Sequence, residues 1–157
     1  MEESKEQIDQ PPPTNITVQG DAEIDYIWLQ EQTCNALGFL HREYSDVSIR
    51  VVSDVEMAQL HVKHSGVDGT TDVLTFDHGS AEHSVCADIA VCIDVAKREA
   101  SQRGHTVQNE VLLYIVHGIL HCCGFDDHDE SAHALMHAEE DRVLSGIGIG
   151  KVWSNET

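Results

Sequence analysis

A stretch of ten residues in the second half of the chain restricts the fold more than any other feature. It runs from Val111 to Leu120, reads VLLYIVHGIL, and lies in a segment with the pattern of a helix that begins near Thr106. Apolar side chains fall on nearly every side of that helix, and such a helix is typically buried at the centre of a domain. We therefore expect the rest of the chain to pack around it.

Segments with strand and helix patterns lie on both sides of this helix along the chain. The predicted strands are Thr14 to Val18, Val47 to Val52, Asp72 to Asp77 and Val85 to Ile93. The other predicted helices run from Asp21 to Gly38, from Ser53 or Asp54 to His64, from Asp94 to Arg103 and from Asp129 to Leu144. Strands interspersed with helices at this length predict an α+β sandwich of the α/β type. In it, a mixed sheet of about four strands packs against helices, and the strand order stays open.

The first and the last of these helices have apolar residues that we assign to the core. In the first helix they are Ile24, Ile27, Trp28 and Leu37, and in the last they are Ala132, Leu135, Met136 and Val143. The outer positions of the last helix are acidic, as on a solvated face.

The chain is long enough for one domain with its own core, and residues 14–157 are predicted to form it. Residues 1–13 are polar and end in three prolines, which predicts a disordered lead. No segment has the apolar length of an export signal or a membrane span. We expect a cytoplasmic protein that does not bind membranes.

The formal net charge of −19 limits how the protein can interact with nucleic acid. A protein that holds phosphates through a broad basic surface has the opposite charge, so non-specific nucleic-acid binding is disfavoured. Net charge does not exclude a short basic cleft or docking through a partner protein.

The segment HGILHCCGFDDH, from His117 to His128, carries the clearest chemical signal. Residues four apart lie on one face of a helix, so the rings of His117 and His121 can converge on one ion. The spacing alone is weak evidence, because 11 histidines in 157 residues give roughly one such pair by chance. A second pair, His133 and His137, lies on the acidic amphipathic helix and is interpreted as part of its solvated face.

The surroundings of the first pair strengthen the metal hypothesis. An imidazole without a partner is costly to bury in an apolar helix, and a metal ion would remove that cost. Gly124 permits a sharp turn that returns His128 to the ion, and three protein ligands with a water are typical of catalytic zinc. We therefore predict one zinc ion bound by His117, His121 and His128. The alternative is two core histidines bonded to the backbone and a third at the surface.

Zinc in such a site lowers the pKa of bound water and polarises a phosphoryl or carbonyl oxygen. Metallopeptidases of the HExxH type carry a glutamate directly after the first histidine as the general base. Gly118 occupies that position here, which disfavours proteolysis.

Three ordered motifs resemble those of the YbeY family of endoribonucleases. The first is the His117 to Asp126 segment, with histidine, glycine, leucine, histidine, glycine, an aromatic residue and aspartate in place. GVDGTTDVLTF, residues 66–76, resembles the family's loop and strand, and ADIAV, residues 87–91, resembles its third block. The resemblance implies a metal-dependent endoribonuclease with three histidine ligands, specific for single strands, that acts in 16S ribosomal RNA 3′-end maturation and ribosome quality control. Its implied partners are ribosomal RNA and the small ribosomal subunit, with a ribosomal protein or an assembly GTPase as further candidates.

The sequence departs from the family pattern at two positions. The family's third histidine stands ten residues after the first, where this chain has Asp127, so Asp127 is an alternative to His128. The family's loop arginine is replaced by Ser65, and Lys63 or His64 is predicted to take its catalytic or phosphate-binding role. An exposed lysine and a helix-end histidine are the alternative for these two residues.

Three functions stay open at this point. The preferred one is hydrolysis of RNA by the metal-bound water or by an activated 2′-hydroxyl group. The second is a zinc-stabilised ribosome assembly factor that does not cut RNA, and the third is a small metallopeptidase. Asp72 and Asp88 are candidates for orienting a ligand histidine, or else cap a loop or strand end.

Overall fold

The structure is a computed structural model that describes residues 14–150. The predicted disordered lead over residues 1–13 lies outside the described residues. The strands are β1 (Asn15–Gly20), β2 (Asp46–Val52), β3 (Val73–Asp77) and β4 (Cys86–Cys92), and the helices are α1 (Tyr26–Phe39), α2 (Asp54–Ser65), α3 (Ile93–Arg103), α4 (Val107–Cys122) and α5 (Glu130–Gly146). All four predicted strands and all five predicted helices are present.

The four strands form one mixed sheet in the order β1-β2-β4-β3. β1 and β4 run parallel to β2, whereas β3 runs antiparallel to β4. The predicted α+β sandwich with a four-stranded mixed sheet is therefore confirmed. Among the described strands, β3 pairs only with β4, so it forms one edge of this sheet.

The two faces of the sheet are covered unequally. The main core joins inward-facing residues of β1, β2 and β4 to α1, α4 and α5. A smaller cluster on the other face joins Met57 of α2 to Leu74, Ala90 and Cys92. α4 has ten buried residues, including every residue from Val111 to Val116, which confirms the predicted buried central helix.

The start of α4 is fixed by polar contacts as well as by burial. Thr106 caps the helix by accepting a hydrogen bond from the backbone N–H of Asn109. Glu110 is fully buried in the first turn, and its carboxylate contacts Arg103 and His105 at 2.5 Å each. These contacts join α4 to the end of α3, where Gly104 adopts a φ of 74° as the helix cap.

Two details of the predicted helices were wrong. α1 begins at Tyr26 because the side chain of Asp25, and not that of Asp21, accepts the capping bond from Trp28 N. Ile27 is 74% exposed and Leu135 is 65% exposed, so neither lies in the core.

Polar residues within the buried stripes explain the two misplaced side chains. α1 buries Leu29, Thr33, Ala36 and Leu37, and α5 buries Met136, Glu140, Val143 and Leu144. Both sets follow the spacing of one helix face, but each contains one polar residue. The positions of apolar residues alone therefore did not identify which face of α1 and of α5 is buried.

Among the described residues, no helix has both the length and the apolar character that crossing a membrane requires.

Candidate metal centre

A pocket lies between the edge strand β3 and the last turns of α4. Its lining residues are Val73, Leu74, Thr75, Asp77, His117, His121, Cys122 and Asp127. The Nε2 atoms of His117 and His121 are 3.1 Å apart in this pocket. Two ring nitrogens at this distance are compatible with one shared proton or with a cation that both nitrogens coordinate.

A glycine permits the close packing of α4 against β3. A Cβ atom added at Gly118 would lie 2.7 Å from Oγ1 of Thr75 and 3.1 Å from Cδ1 of Ile89. Both distances are shorter than normal contacts, so a larger residue at this position would require Thr75 and Ile89 to move or the helix to shift away from the sheet. The position that carries the glutamate in HExxH metallopeptidases therefore has no room for one here.

The ring of His117 is oriented by a buried carboxylate on α5. Its Nδ1 lies 2.6 Å from Oε2 of Glu140, and the side chain of Glu140 is fully buried. Burial lowers the pKa of His117, but the hydrogen bond and the negative charge of Glu140 outweigh burial and raise it overall. Because Nδ1 is held by Glu140, Nε2 is the nitrogen directed at the pocket.

Within residues 14–150, no carboxylate forms a hydrogen bond or ion pair with the ring of His121. Burial, reinforced by the neighbouring charge of His117, lowers the pKa of its imidazole. A neutral imidazole is the form that binds a metal ion.

The third donor next to the histidine pair is Asp127. Its Oδ2 lies 3.6 Å from Nε2 of His117, and donor atoms of His117, His121 and Asp127 lie within 4.8 Å of one another. The turn that places it begins at Gly124, which has a φ of 101°. The predicted turn is thus present, but it brings Asp127 to the pair.

The side chain of His128 lies outside the pocket and is 87% exposed. Its Nδ1 lies 3.6 Å from Oδ1 of Asp126, and its backbone N–H donates to the same carboxylate. The role of His128 as third ligand stays a prediction. It requires the loop to change conformation so that the imidazole of His128 enters the pocket.

The structure places Lys63 and His64 away from this pocket. Both lie in the last turn of α2, and the ring of His64 packs edge-on against Phe76 with centroids 4.6 Å apart. Phe76 and Thr75 are adjacent on β3, so their side chains point to opposite faces of the sheet. Within residues 14–150, no lysine or arginine lines the pocket, and Lys63 makes no hydrogen bond or ion pair.

Asp72 and Asp88 were candidates from the sequence and Asp77 was not, and all three have local hydrogen-bond partners. Asp77 lines the pocket, and its carboxylate accepts bonds from Gly79 N, Ser80 N and Ser80 Oγ. The bond from Gly79 is the main cause that lowers its pKa, so Asp77 is ionised at neutral pH. Asp72 accepts from Val73 N at the start of β3, whereas Asp88 contacts His78 at 3.0 Å.

Glu140 is the functional residue that the sequence analysis missed. The histidine-orienting carboxylate comes from a different helix, 23 residues after His117. One signal was available, because Glu140 falls on the same helical face as Met136 and Val143. An acidic residue in a buried stripe needs a partner.

The donor set fits a divalent transition metal. Two imidazoles and a carboxylate are a common ligand combination for catalytic zinc, and the buried carboxylate behind one histidine is the usual support for such a ligand. The residues present are thus suited to hold the ion that the sequence predicted.

Comparison with known proteins shows what this chain is similar to. The sequence profile of the family described as "Endoribonuclease YbeY" matches residues 15–148. The Endoribonuclease YbeY of Pelotomaculum thermopropionicum is 32% identical over 114 residues, which cover 68% of this chain and 75% of that protein. The Endoribonuclease YbeY of Gloeobacter violaceus is 32% identical over 116 residues, covering 69% of this chain but only 60% of the relative.

A solved structure supports the fold independently. The solution structure of TM1509 from Thermotoga maritima matches with a TM-score of 0.62 over 90% of this chain and 95% of that one. The two sequences are 22% identical, so this similarity concerns the fold alone.

Proposed function

The chain belongs to the YbeY family of endoribonucleases, and from this premise we propose that it cleaves single-stranded RNA with a zinc ion held in the pocket between α4 and β3. The observation that carries the proposal is the convergence of two Nε2 atoms at 3.1 Å, with a buried glutamate behind one of them. A pair of half-buried histidines that served only packing would not require this carboxylate.

We assign His117, His121 and Asp127 as the ligands of the ion, with Glu140 orienting His117. Zinc bound by such a set supplies an activated water and neutralises charge that develops on a phosphate. Asp127 is preferred to His128 because its carboxylate already lies 3.6 Å from Nε2 of His117.

The electrostatics of the pocket support a requirement for the cation. Asp77 and Asp127 both line it, and the described part of the chain contributes no lysine or arginine to the lining. A phosphodiester that approached these carboxylates directly would be repelled. With the ion in place, the hydroxyl group of Thr75 is available to donate a hydrogen bond to a phosphate oxygen.

The proposed substrate is ribosomal RNA, with action at the 3′ end of 16S RNA and in ribosome quality control in the cytoplasm. Docking on the small ribosomal subunit would compensate for the net charge of −19, which disfavours unassisted binding of RNA. Lys63, which is exposed and forms no ion pair within residues 14–150, is the candidate for a phosphate contact outside the pocket.

A specific observation favours the non-cleaving assembly factor as a second candidate. The loop position of the expected arginine is Ser65, whose hydroxyl donates to the carbonyl of His61, and no lysine or arginine of residues 14–150 lines the pocket. A peptidase is disfavoured, because Thr75 occupies the space that a glutamate at position 118 would need.

The test is cleavage of a single-stranded 16S RNA 3′-end fragment by the purified full chain. The wild type is assayed untreated, after treatment with chelator, and after chelation followed by reloading with zinc. It is compared with His117→Ala and with the control His61→Ala. Cutting that is lost with chelator and in His117→Ala, but kept in His61→Ala, supports the nuclease. Bound zinc with no cutting would select the assembly factor.

A further inference from the structure

The second histidine pair, His133 and His137, lies on α5 and is arranged more closely than the first. The centroids of its rings are 4.1 Å apart at an interplanar angle of 49°. The corresponding distance for His117 and His121 is 4.7 Å. The two rings of the second pair are therefore in contact.

This pair lines an open depression next to the metal pocket. The lining residues are Asp127, His128, Asp129, Glu130, His133, Ala134 and His137. Asp127 is common to the depression and to the metal pocket. Three imidazoles and several carboxylates thus surround one small surface region, which attracts a cation and disfavours an anion.

We propose that His133 and His137 bind a second divalent transition-metal ion on the solvent side of Asp127. Imidazoles four residues apart on a helix can turn their nitrogens toward one ion. Water completes the coordination, and the exposed side chains of His128 and Glu130 line the same depression. A site of two imidazoles and oxygen donors suits Zn²⁺, Ni²⁺ and Cu²⁺ and binds Cu²⁺ most tightly.

Two features of α5 reduce the cost of ordering this site. α5 is packed against the core through Met136, Val143 and Leu144, so its backbone is fixed before an ion binds. His137 is half-buried, and its ring already contacts that of His133. Less side-chain freedom is lost on binding than for two separate surface histidines.

The proposal is tested by counting Ni²⁺ equivalents bound to the purified full chain in equilibrium dialysis. The wild type is compared with His133→Ala, His137→Ala, the double variant His117→Ala/His121→Ala and the control His61→Ala, each checked for folding by circular dichroism. We expect one equivalent fewer in each single α5 variant than in the wild type and no change in the control.

The double variant separates this site from the one in the metal pocket. The double variant is expected to lose one equivalent of bound Ni²⁺ and to keep the equivalent whose binding depends on His133. Equal binding by the wild type and both α5 variants would overturn the second site. If instead the double variant bound as much Ni²⁺ as the wild type while the α5 variants lost one equivalent, the second site would stand and the pocket assignment would fail.

Discussion

Nδ1 of His117 lies 2.6 Å from Oε2 of Glu140, although the two residues are 23 positions apart and lie on different helices. The contact connects α5 to the face of α4 that lines the pocket. It fixes the ring so that Nε2 is available to an ion, and it gives the fully buried carboxylate a partner. The metal centre therefore depends on the packing of α5 as well as on the histidine motif itself.

Replacing Glu140 by glutamine is expected to weaken zinc binding about 10- to 100-fold. The amide keeps the shape of the carboxylate but lacks the charge that makes the imidazole a stronger ligand. Competition with a chromophoric chelator measures the affinity. Glu139→Gln is the control, since Glu139 contacts Arg142 on the same helix and not His117. Equal affinities for Glu140→Gln and the wild type would remove Glu140 from the site.

Alanine at Asp127 is expected to reduce zinc content more than alanine at His128. Asp127 lies within reach of His117, whereas the side chain of His128 is exposed on the other side of the turn. Metal content after dialysis against a weak chelator distinguishes the two variants. The reverse order would show that the loop rearranges on binding and that the histidine of the family pattern is the ligand.

The Asp54–Arg98 ion pair predicts a pH dependence of stability. The guanidinium donates to both oxygens of Asp54 at 2.9 and 3.1 Å, and these bonds are the main cause that lowers the pKa of Asp54 below 3.8. A lowered pKa in the folded state stabilises the fold above pH 3.8, and the contribution is lost as the pH falls through the folded-state value. We therefore expect the difference in unfolding free energy between wild type and Asp54→Asn to shrink from about pH 6 to about pH 3. Urea unfolding at both pH values measures it, and a constant difference would show that the pair contributes nothing through ionisation.

The sequence was sufficient for the parts of the fold that depend on local periodicity. The alternation of Val47 to Val52 and the apolar run of α4 each match one type of structure, and both were predicted correctly. The faces of α1 and α5 were less accurate because Thr33 and Glu140 are buried with specific partners. The pairing of Glu140 with His117, 23 residues away, is decided by tertiary packing, which local patterns do not contain, whereas Thr33 donates to the Leu29 carbonyl within its own helix.

In the candidate site, too, the features that depend on local spacing were predicted, and those that depend on tertiary packing were not. Spacing on one helix was enough to pair His117 with His121. The positions of Asp127 and His128 depend on how the chain turns after Gly124, and a shift of one residue exchanges the two side chains. Lys63 and His64 are close to the site in the family's linear motif, but the edge strand β3 separates His64 from the pocket.

The last prediction concerns Gly118, the residue that distinguishes this helix from that of HExxH peptidases. Alanine at this position would place a methyl group 2.7 Å from Oγ1 of Thr75, so either the side chain of Thr75 must move or β3 and α4 must separate. We expect a loss of about 1–3 kcal/mol in the free energy of unfolding, although alanine is the better helix former. We also expect weaker zinc binding, because His117 and His121 shift relative to Thr75 and Asp77 at the edge of the sheet.

Gly38→Ala provides the matched control for Gly118→Ala, since Gly38 is also helical and nothing lies within 4 Å of its added Cβ atom. This variant should be as stable as the wild type or gain up to about 1 kcal/mol from helix propensity. Urea unfolding and zinc affinity are measured for both variants. Replacing Thr75 by alanine in the Gly118→Ala background removes the oxygen atom in conflict and should recover part of the lost stability. If Gly118→Ala behaved like Gly38→Ala in both measurements, the close approach of α4 to β3 would not be what excludes a side chain at this position.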